Sequence, residues 1–256
     1  MLARVLRTSA QRLRAYTRQR LLSRLYASDL DRLAQLYGTD KWGSHFYTQH
    51  YQAHFAHLRR KRLNILEIGV GGHADPRAGG ASLRMWKAFF PRSVIHAIDI
   101  HDKTAMQEDR IRIYRGSQSD KAFLLDTFNR IGSLDVVIDD GSHVNEHVIT
   151  TFETLFPLLN EGGIYAVEDT QTSYWPSFGG DSQDLRNPRT IMNFFQNLAD
   201  CINHAEIPRN AYEPSALDRT VVGLHFYHNL IFVDKGRNDE GTNKPHTVAA
   251  FAAGGP

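Results

Sequence analysis

The chain has 256 residues, 41% of them hydrophobic and 23% charged, with one cysteine and a formal net charge of +2. That length can bury the core of one α/β domain with extensions, and the composition excludes a disordered or collagen-like chain. No apolar run reaches the roughly 18–20 residues of a membrane-spanning helix, and the lone Cys201 allows no internal disulfide, so a reducing cytoplasmic setting is expected.

Residues 1–28 carry seven arginines (Arg4, Arg7, Arg12, Arg14, Arg18, Arg20, Arg24) and no acid, so +2 overall less +7 there leaves −5 for the remainder. Leu2, Leu6, Leu13, Leu21, Leu22 and Leu25 recur at helical spacing beside them. Such a basic amphipathic opening suits a membrane surface, a nucleic-acid arm, a transit peptide or an ordinary packing helix. The acidic remainder and the lack of lysines interleaved with aromatics favour packing against the domain or a second copy. A homodimer without a nucleic-acid partner is therefore expected.

Ser28-Asp29-Leu30 reads as a capped helix start. The polar and aromatic stretch Tyr37–Tyr47 follows as a lid, with Lys41 or His45 facing a cofactor, or as a plain surface turn. Tyr51–Arg62 reads as a further helix. From residue 63, apolar strands at Leu63–Ile68, Ser93–Ile98, Ile111–Tyr114, Leu134–Ile138 and Gly163–Val167 alternate with helices near Ser82–Phe90, Asp120–Ile131 and Asn145–Leu159. Near-continuous apolar strands separated by helices imply a parallel sheet covered on both faces. Cys201, in a helical-looking segment, reads as a small core residue rather than a nucleophile. Thr220–Phe226 and Leu230–Val233 are joined by three residues only, too few for a parallel crossover, so they form an antiparallel hairpin. A mostly parallel sheet of seven strands closing on such a hairpin is the class I methyltransferase variant of the Rossmann-like α/β fold. The expected organisation is a helical extension and lid over 1–62, the α/β domain over 63–236, and a loose tail over 237–256.

Each strand ends in glycines or acids, at the edge where open sheets bind ligands. Leu66-Glu67-Ile68-Gly69-Val70-Gly71-Gly72 ends the first strand, and its glycines let the backbone turn and approach a ligand closely. Gly69, Gly71 and Ala74 also satisfy the dinucleotide fingerprint, a weak signal alone. Against that reading, the turn runs into a loop rather than onto a helix N-terminus, where a pyrophosphate would bind. Glu67 suits a cationic ligand, and S-adenosylmethionine has an ammonium, a sulfonium and no phosphate. Asp99, ending the second strand, is placed for ribose hydroxyls. Gln118 either reads an adenine edge or belongs to a turn in which Ser119 or Asp120 caps the next helix.

Asp139-Asp140-Gly141-Ser142-His143 and Glu168-Asp169 end neighbouring strands. Parallel strands lie about 4.8 Å apart, so four carboxylates converge and repel unless a cation neutralises them. A hard divalent ion such as Mg²⁺ takes oxygen ligands of this kind, and Mn²⁺ can replace it. His143, three residues past Asp140, is placed as a general base. The competing reading makes these acids helix caps and His143 a core hydrogen-bonding group. Tyr174, Trp175 and Phe178, in the loop after the fifth strand, either stack on a sugar or pack the loop on itself.

At these motifs, together with Tyr37-Gly38-Thr39-Asp40-Lys41 and Leu224-His225-Phe226-Tyr227-His228-Asn229, the chain resembles the macrocin/mycinamicin-type sugar O-methyltransferases. The resemblance runs from about Leu33 to Lys235. It implies an S-adenosylmethionine- and Mg²⁺-dependent enzyme with a sugar or oligosaccharide acceptor. It further implies that Asp140, Glu168 and Asp169 bind the metal and His143 is the catalytic base, with Asp139 left on the cofactor side. Antibiotic-modifying members carry a large extra N-terminal domain that this chain is expected to lack, and its compact size and basic opening resemble a polysaccharide-methylating member. A catechol-type methyltransferase, a nucleotide-binding oxidoreductase and a nucleic-acid methyltransferase are the alternatives. The terminal hairpin disfavours the oxidoreductase.

Overall fold

The computed structural model describes residues 14, 16–207 and 212–242. Arg4, Arg7, Arg12, Leu2, Leu6 and Leu13 of the basic opening, and the tail from 243 on, lie outside the described residues. Residues 16–25 form helix α1. Asp29 caps α2 (Leu30–Tyr37) by accepting from the Arg32 N–H, and Gly38 ends it in the left-handed conformation. Helix α3 spans Thr48–Phe55 and tightens into a 3₁₀ turn over Ala56–Leu58. It starts three residues before the expected Tyr51.

The sheet contains β1 (Asn64–Ile68), β2 (Val94–Asp99), β3 (Ile111–Arg115), β4 (Leu134–Asp139), β5 (Leu159–Glu168), β6 (Val221–Tyr227) and β7 (Leu230–Lys235), in the order β3-β2-β1-β4-β5-β7-β6. The first five strands pair in parallel, while β7 runs antiparallel to both β5 and β6. The seven-stranded class I fold with its closing hairpin is thus present. Helices α4 (Ala81–Phe89), α5 (Lys121–Ile131) and α6 (Asn145–Leu155) connect the parallel strands. Asp120 caps α5, donating no proton but accepting from the N–H groups of Ala122 and Phe123. Helices α7 (Ile191–Asn197) and α8 (Ala199–Ile202) precede the hairpin.

Side chains alternate across the strands, and this period of two builds two cores. Ile65, Ala97, Val136, Ile138 and Ala166 face α2, α3 and α4, where Tyr51, Phe55, Trp86, Phe89 and Phe232 pack together. Leu66, Ile68, Val137, Tyr165 and Val167 face α5, α6 and α7 with Leu124, Phe152 and Phe195. Cys201 packs against this second core, and burial pushes its thiol up to about 12, which suits the expected inert role. Among the described residues, no helix is long and apolar enough to cross a membrane.

Candidate active site

At the carboxyl edge of the sheet lies a cleft of about 680 Å³, lined by Gly69, Gly71, Asp99, Gln118, Asp140, His143 and Asp169. Its size is that of a small-molecule site. Gly69 has φ 96°, and a Cβ there would lie 2.1 Å from the carbonyl oxygen of Asp140, so only glycine lets β1 and β4 release their chains so close together. The turn enters a loop instead of a helix. Gly80 N–H returns to the Val70 carbonyl (2.7 Å), and the buried Lys103 ammonium donates to the carbonyls of Asp75 (2.6 Å) and Ala78 (3.0 Å). Helix α4 begins only beyond this loop, at Ala81.

On the nucleoside side, Asp99 accepts from the N–H of Val70 (3.0 Å) and of His101 (2.8 Å), fixing a carboxylate at the cleft wall. Gln118 also lines the cleft, but its amide is engaged by the protein. Its NH₂ donates to Asp139 Oδ1 (3.0 Å) and Thr151 Oγ1 (3.2 Å), and its carbonyl accepts from the Ser142 N–H (2.7 Å). It holds the Asp140–His143 segment in place, with its NH₂ engaged by the protein. Glu67 and Asp139, expected at the cofactor, are absent from the lining and fully buried on opposite faces of the sheet. Glu67 accepts from Ser82 Oγ (3.1 Å) at the start of α4, and burial pushes its carboxyl up to about 7. Asp139 is held by Gln118 and by Tyr165 (3.4 Å), and burial again pushes it up to about 7.

The acidic ends of β4 and β5 gather around a cation supplied by the chain. Lys41, fully buried, places Nζ 2.6 Å from Asp140 Oδ2, 2.6 Å from Glu168 Oε1 and 3.4 Å from Glu67 Oε1. Burial works against its charge, but Asp140, Glu168 and Glu67 outweigh it and hold the pKa well above that of an ordinary lysine. Lys41 therefore faces the carboxylates rather than a cofactor. The tyrosines of the same segment complete the wall: Tyr51 donates to Glu168 Oε1 (2.6 Å) and Tyr47 to Asp169 Oδ1 (2.8 Å). Burial, then the neighbouring carboxylates, pushes both phenols up, so they remain donors. Nothing in the spacing of Lys41, Tyr47 and Tyr51 announced these roles, beyond a lysine set among aromatics.

Asp140, His143 and Asp169 bring one donor atom each within 4.8 Å of one another. His143 Nε2 is 3.5 Å from Asp169 Oδ2, and its buried Nδ1 has no hydrogen-bond partner. His143 and Asp169 both have φ 55°, a left-handed backbone costing on the order of 1 kcal/mol or more for a residue with a Cβ. Such strain clusters where side chains must be aimed at a ligand. Asp140 Oδ1 and Glu168 Oε2 accept no hydrogen bond from the described residues, so each carboxylate keeps an oxygen not engaged by Lys41. Glu168 is nonetheless 3% exposed and lies outside both the cleft lining and the close trio. The carboxylate oxygens of Asp140, Glu168 and Asp169 are the donors a hard divalent ion takes.

A glycine turn over a cleft, an aspartate ending the second strand and a seven-stranded sheet closed by a hairpin define a class I methyltransferase fold. A family model described as a methyltransferase domain matches residues 7–170, and the chain belongs to that family. Over 215 residues it is 48% identical to demethylmacrocin O-methyltransferase of Streptomyces fradiae, covering 83% of this chain and 54% of the relative. It is 48% identical over 215 residues to mycinamicin VI 2''-O-methyltransferase of Micromonospora griseorubida, with the same 83% and 54% coverage. The MycE methyltransferase of mycinamycin biosynthesis, solved with Mg and SAH (S-adenosylhomocysteine), superposes with a TM-score of 0.83 at 46% identity, over 88% of this chain and 59% of that one. The resemblance to the macrocin and mycinamicin enzymes thus holds over most of the chain, which spans little more than half the length of these relatives.

Proposed function

We propose that the chain transfers a methyl group from S-adenosylmethionine to a hydroxyl of a sugar or oligosaccharide, with the help of Mg²⁺ or Mn²⁺. One observation carries this reading: a single cleft has the Gly69–Gly71 turn and Asp99 at one end and Asp140, His143 and Asp169 at the other. The relatives support it: two are named as O-methyltransferases of demethylmacrocin and mycinamicin VI, a third as the 2'-O-methyltransferase of a rhamnosyl tetracenomycin, and MycE was also solved with Mg, SAH and mycinamycin VI together.

When bound, S-adenosylmethionine supplies an electrophilic methyl group and the divalent ion acidifies the acceptor hydroxyl. The chain does the rest. Asp99, its carboxylate fixed by two backbone N–H groups, orients ribose hydroxyls, and the bare turn at Gly69 and Gly71 leaves room for the ligand. Asp140, Glu168 and Asp169 would hold the metal, with Lys41 and Tyr51 fixing the first two and Tyr47 the third. His143 Nε2 takes the hydroxyl proton, and Asp169 Oδ2 stabilises the imidazolium that results. Tyr174 and Trp175, 40% and 46% exposed just beyond β5, offer apolar faces to a sugar ring. Glu67, Asp139 and Gln118 act from behind, Glu67 by fixing Lys41 and Ser82, the other two by fixing the segment from Asp140 to His143. The enzyme works in the cytoplasm as a homodimer with α1 in its interface.

Calorimetry with S-adenosylhomocysteine tests the cofactor half of this assignment. The wild type should bind, and Asp99→Ala should bind at least about tenfold more weakly with unchanged circular dichroism. Unchanged affinity removes Asp99 from the site, and tighter binding of NADH than of S-adenosylhomocysteine overturns the class of reaction.

A further inference from the structure

The hairpin motif containing His225 is not used by the reaction, yet it packs against the histidines of α3. Helix α3 and its 3₁₀ extension present His50, His54 and His57 at i, i+4 and i+7, along one face. On the strands beneath, His225 of β6 places Nε2 2.8 Å from Asp234 Oδ2 of β7. The rings of His54 and His225 are 4.5 Å apart, edge to face. Donor atoms of His54, His225 and Asp234 all lie within 4.8 Å of one another, and all three residues are half-buried.

We infer that His54, His225 and Asp234 form a binding site for a transition-metal ion of the zinc type, separate from the acidic cleft. Zinc holds nitrogen and oxygen at about 2.0–2.2 Å, which puts tetrahedral donors roughly 3.3–3.5 Å apart. His225 and Asp234 stand 2.8 Å apart and all three donor atoms lie within 4.8 Å of one another, so that spacing falls within the observed range. Two imidazoles and one carboxylate are the donor set zinc uses, and nitrogen donors discriminate against Mg²⁺. The fourth position is left to water.

The surroundings prepare the ligands. Stacking on Phe232 (4.1 Å between centroids) and the Tyr227 hydroxyl 3.1 Å from Nε2 fix the His54 ring. Asp234 balances the ion's charge.

An ion here would fasten α3 to the hairpin. Tyr51, less than one helical turn before His54, donates to Glu168, and the Asn229 carbonyl at the hairpin turn accepts from the N–H of Thr170, next to Asp169. The site therefore braces both elements that flank the acidic cluster.

The test titrates the chelator-treated full-length chain with Zn²⁺ against a chromophoric indicator, in millimolar Mg²⁺ so that the acidic cleft is occupied. The wild type should take up one zinc with micromolar or tighter affinity and melt at higher temperature with it. His54→Gln and His225→Gln, two separate changes at half-buried positions, should each weaken uptake by about tenfold or more and remove the melting shift. Asp140→Asn should leave zinc uptake unchanged. The proposal is overturned if the wild type takes up no zinc, if both histidine variants bind as the wild type does, or if uptake is lost in Asp140→Asn instead. Because the readout is zinc uptake, failure here leaves the methyl-transfer reading standing.

Discussion

A buried ammonium costs several kcal/mol unless carboxylates surround it, and Lys41 has three within 3.4 Å. Removing it reverses the problem, leaving Glu67, Asp140 and Glu168 facing one another without a cation. Lys41→Met should lower stability by about 3–5 kcal/mol in denaturant titration. Mg²⁺ should raise the melting temperature of this variant more than that of the wild type, since the ion takes over part of the neutralisation. An equal Mg²⁺ effect in both would separate Lys41 from the metal-binding acids. At this scale the sequence was readable for Asp140, His143 and Asp169, which follow the end of a strand, and for Asp99, the last residue of β2. Asp99, Asp140, His143 and Asp169 all reach the cleft. Glu67 and Asp139 did not, because a strand residue belongs to one face or the other and composition does not say which. Glu67 shares the face of Ile65 and points under α4, while Asp139 shares that of Val137 and points towards α6. Lys41 was out of reach because its partners lie 99 and 127 residues away in sequence.

Single elements were recovered where a local rule fixes them. Asp29 and Asp120 cap their helices, and the short connection before β7 forces the hairpin. Helix α3 was misplaced because its first turn, Thr48–Tyr51, has no capping side chain and is anchored by tertiary contacts of Tyr47 and Tyr51. Strand β2 adds a titration that local sequence does not show. His96 is buried between Tyr114 (3.2 Å from Nδ1) and Asn64 (3.3 Å from Nε2), an arrangement in which the neutral ring accepts from one and donates to the other. Burial, then Arg112, lowers its pKa from 6.5 to about 4. Between those values the unfolded chain takes up a proton that the folded chain refuses, so His96 makes stability fall as pH drops from 6.5 through about 4. His96→Gln should flatten that acid limb by on the order of 2–3 kcal/mol in urea titrations across pH 4–7. An acid limb of unchanged slope would show that His96 titrates alike in both states.

For the whole molecule, α1 leaves apolar surface uncovered: Leu21 is 67% exposed and Leu25 71%. On a helix otherwise rich in arginine, such a stripe is the surface that the second copy in the proposed dimer would cover. Light scattering should therefore show a dimer, and the double change Leu21→Glu, Leu25→Glu should give a monomer. A wild type that is monomeric at micromolar concentration would exclude α1 as a dimer contact. The architecture was legible from the sequence because apolar strands, acidic strand ends and one short hairpin leave few ways to order seven strands. Methyl transfer with the metal as a variable tests the central claim most directly. The assay follows label from S-adenosylmethionine into a panel of free and partly methylated saccharides, with and without EDTA, for the wild type and His143→Ala. The wild type should label an acceptor only with Mg²⁺ or Mn²⁺ present, and His143→Ala should be slower by about 10²–10⁴-fold while still binding S-adenosylhomocysteine. Labelling that survives EDTA, or a His143→Ala variant as fast as the wild type, would contradict the account.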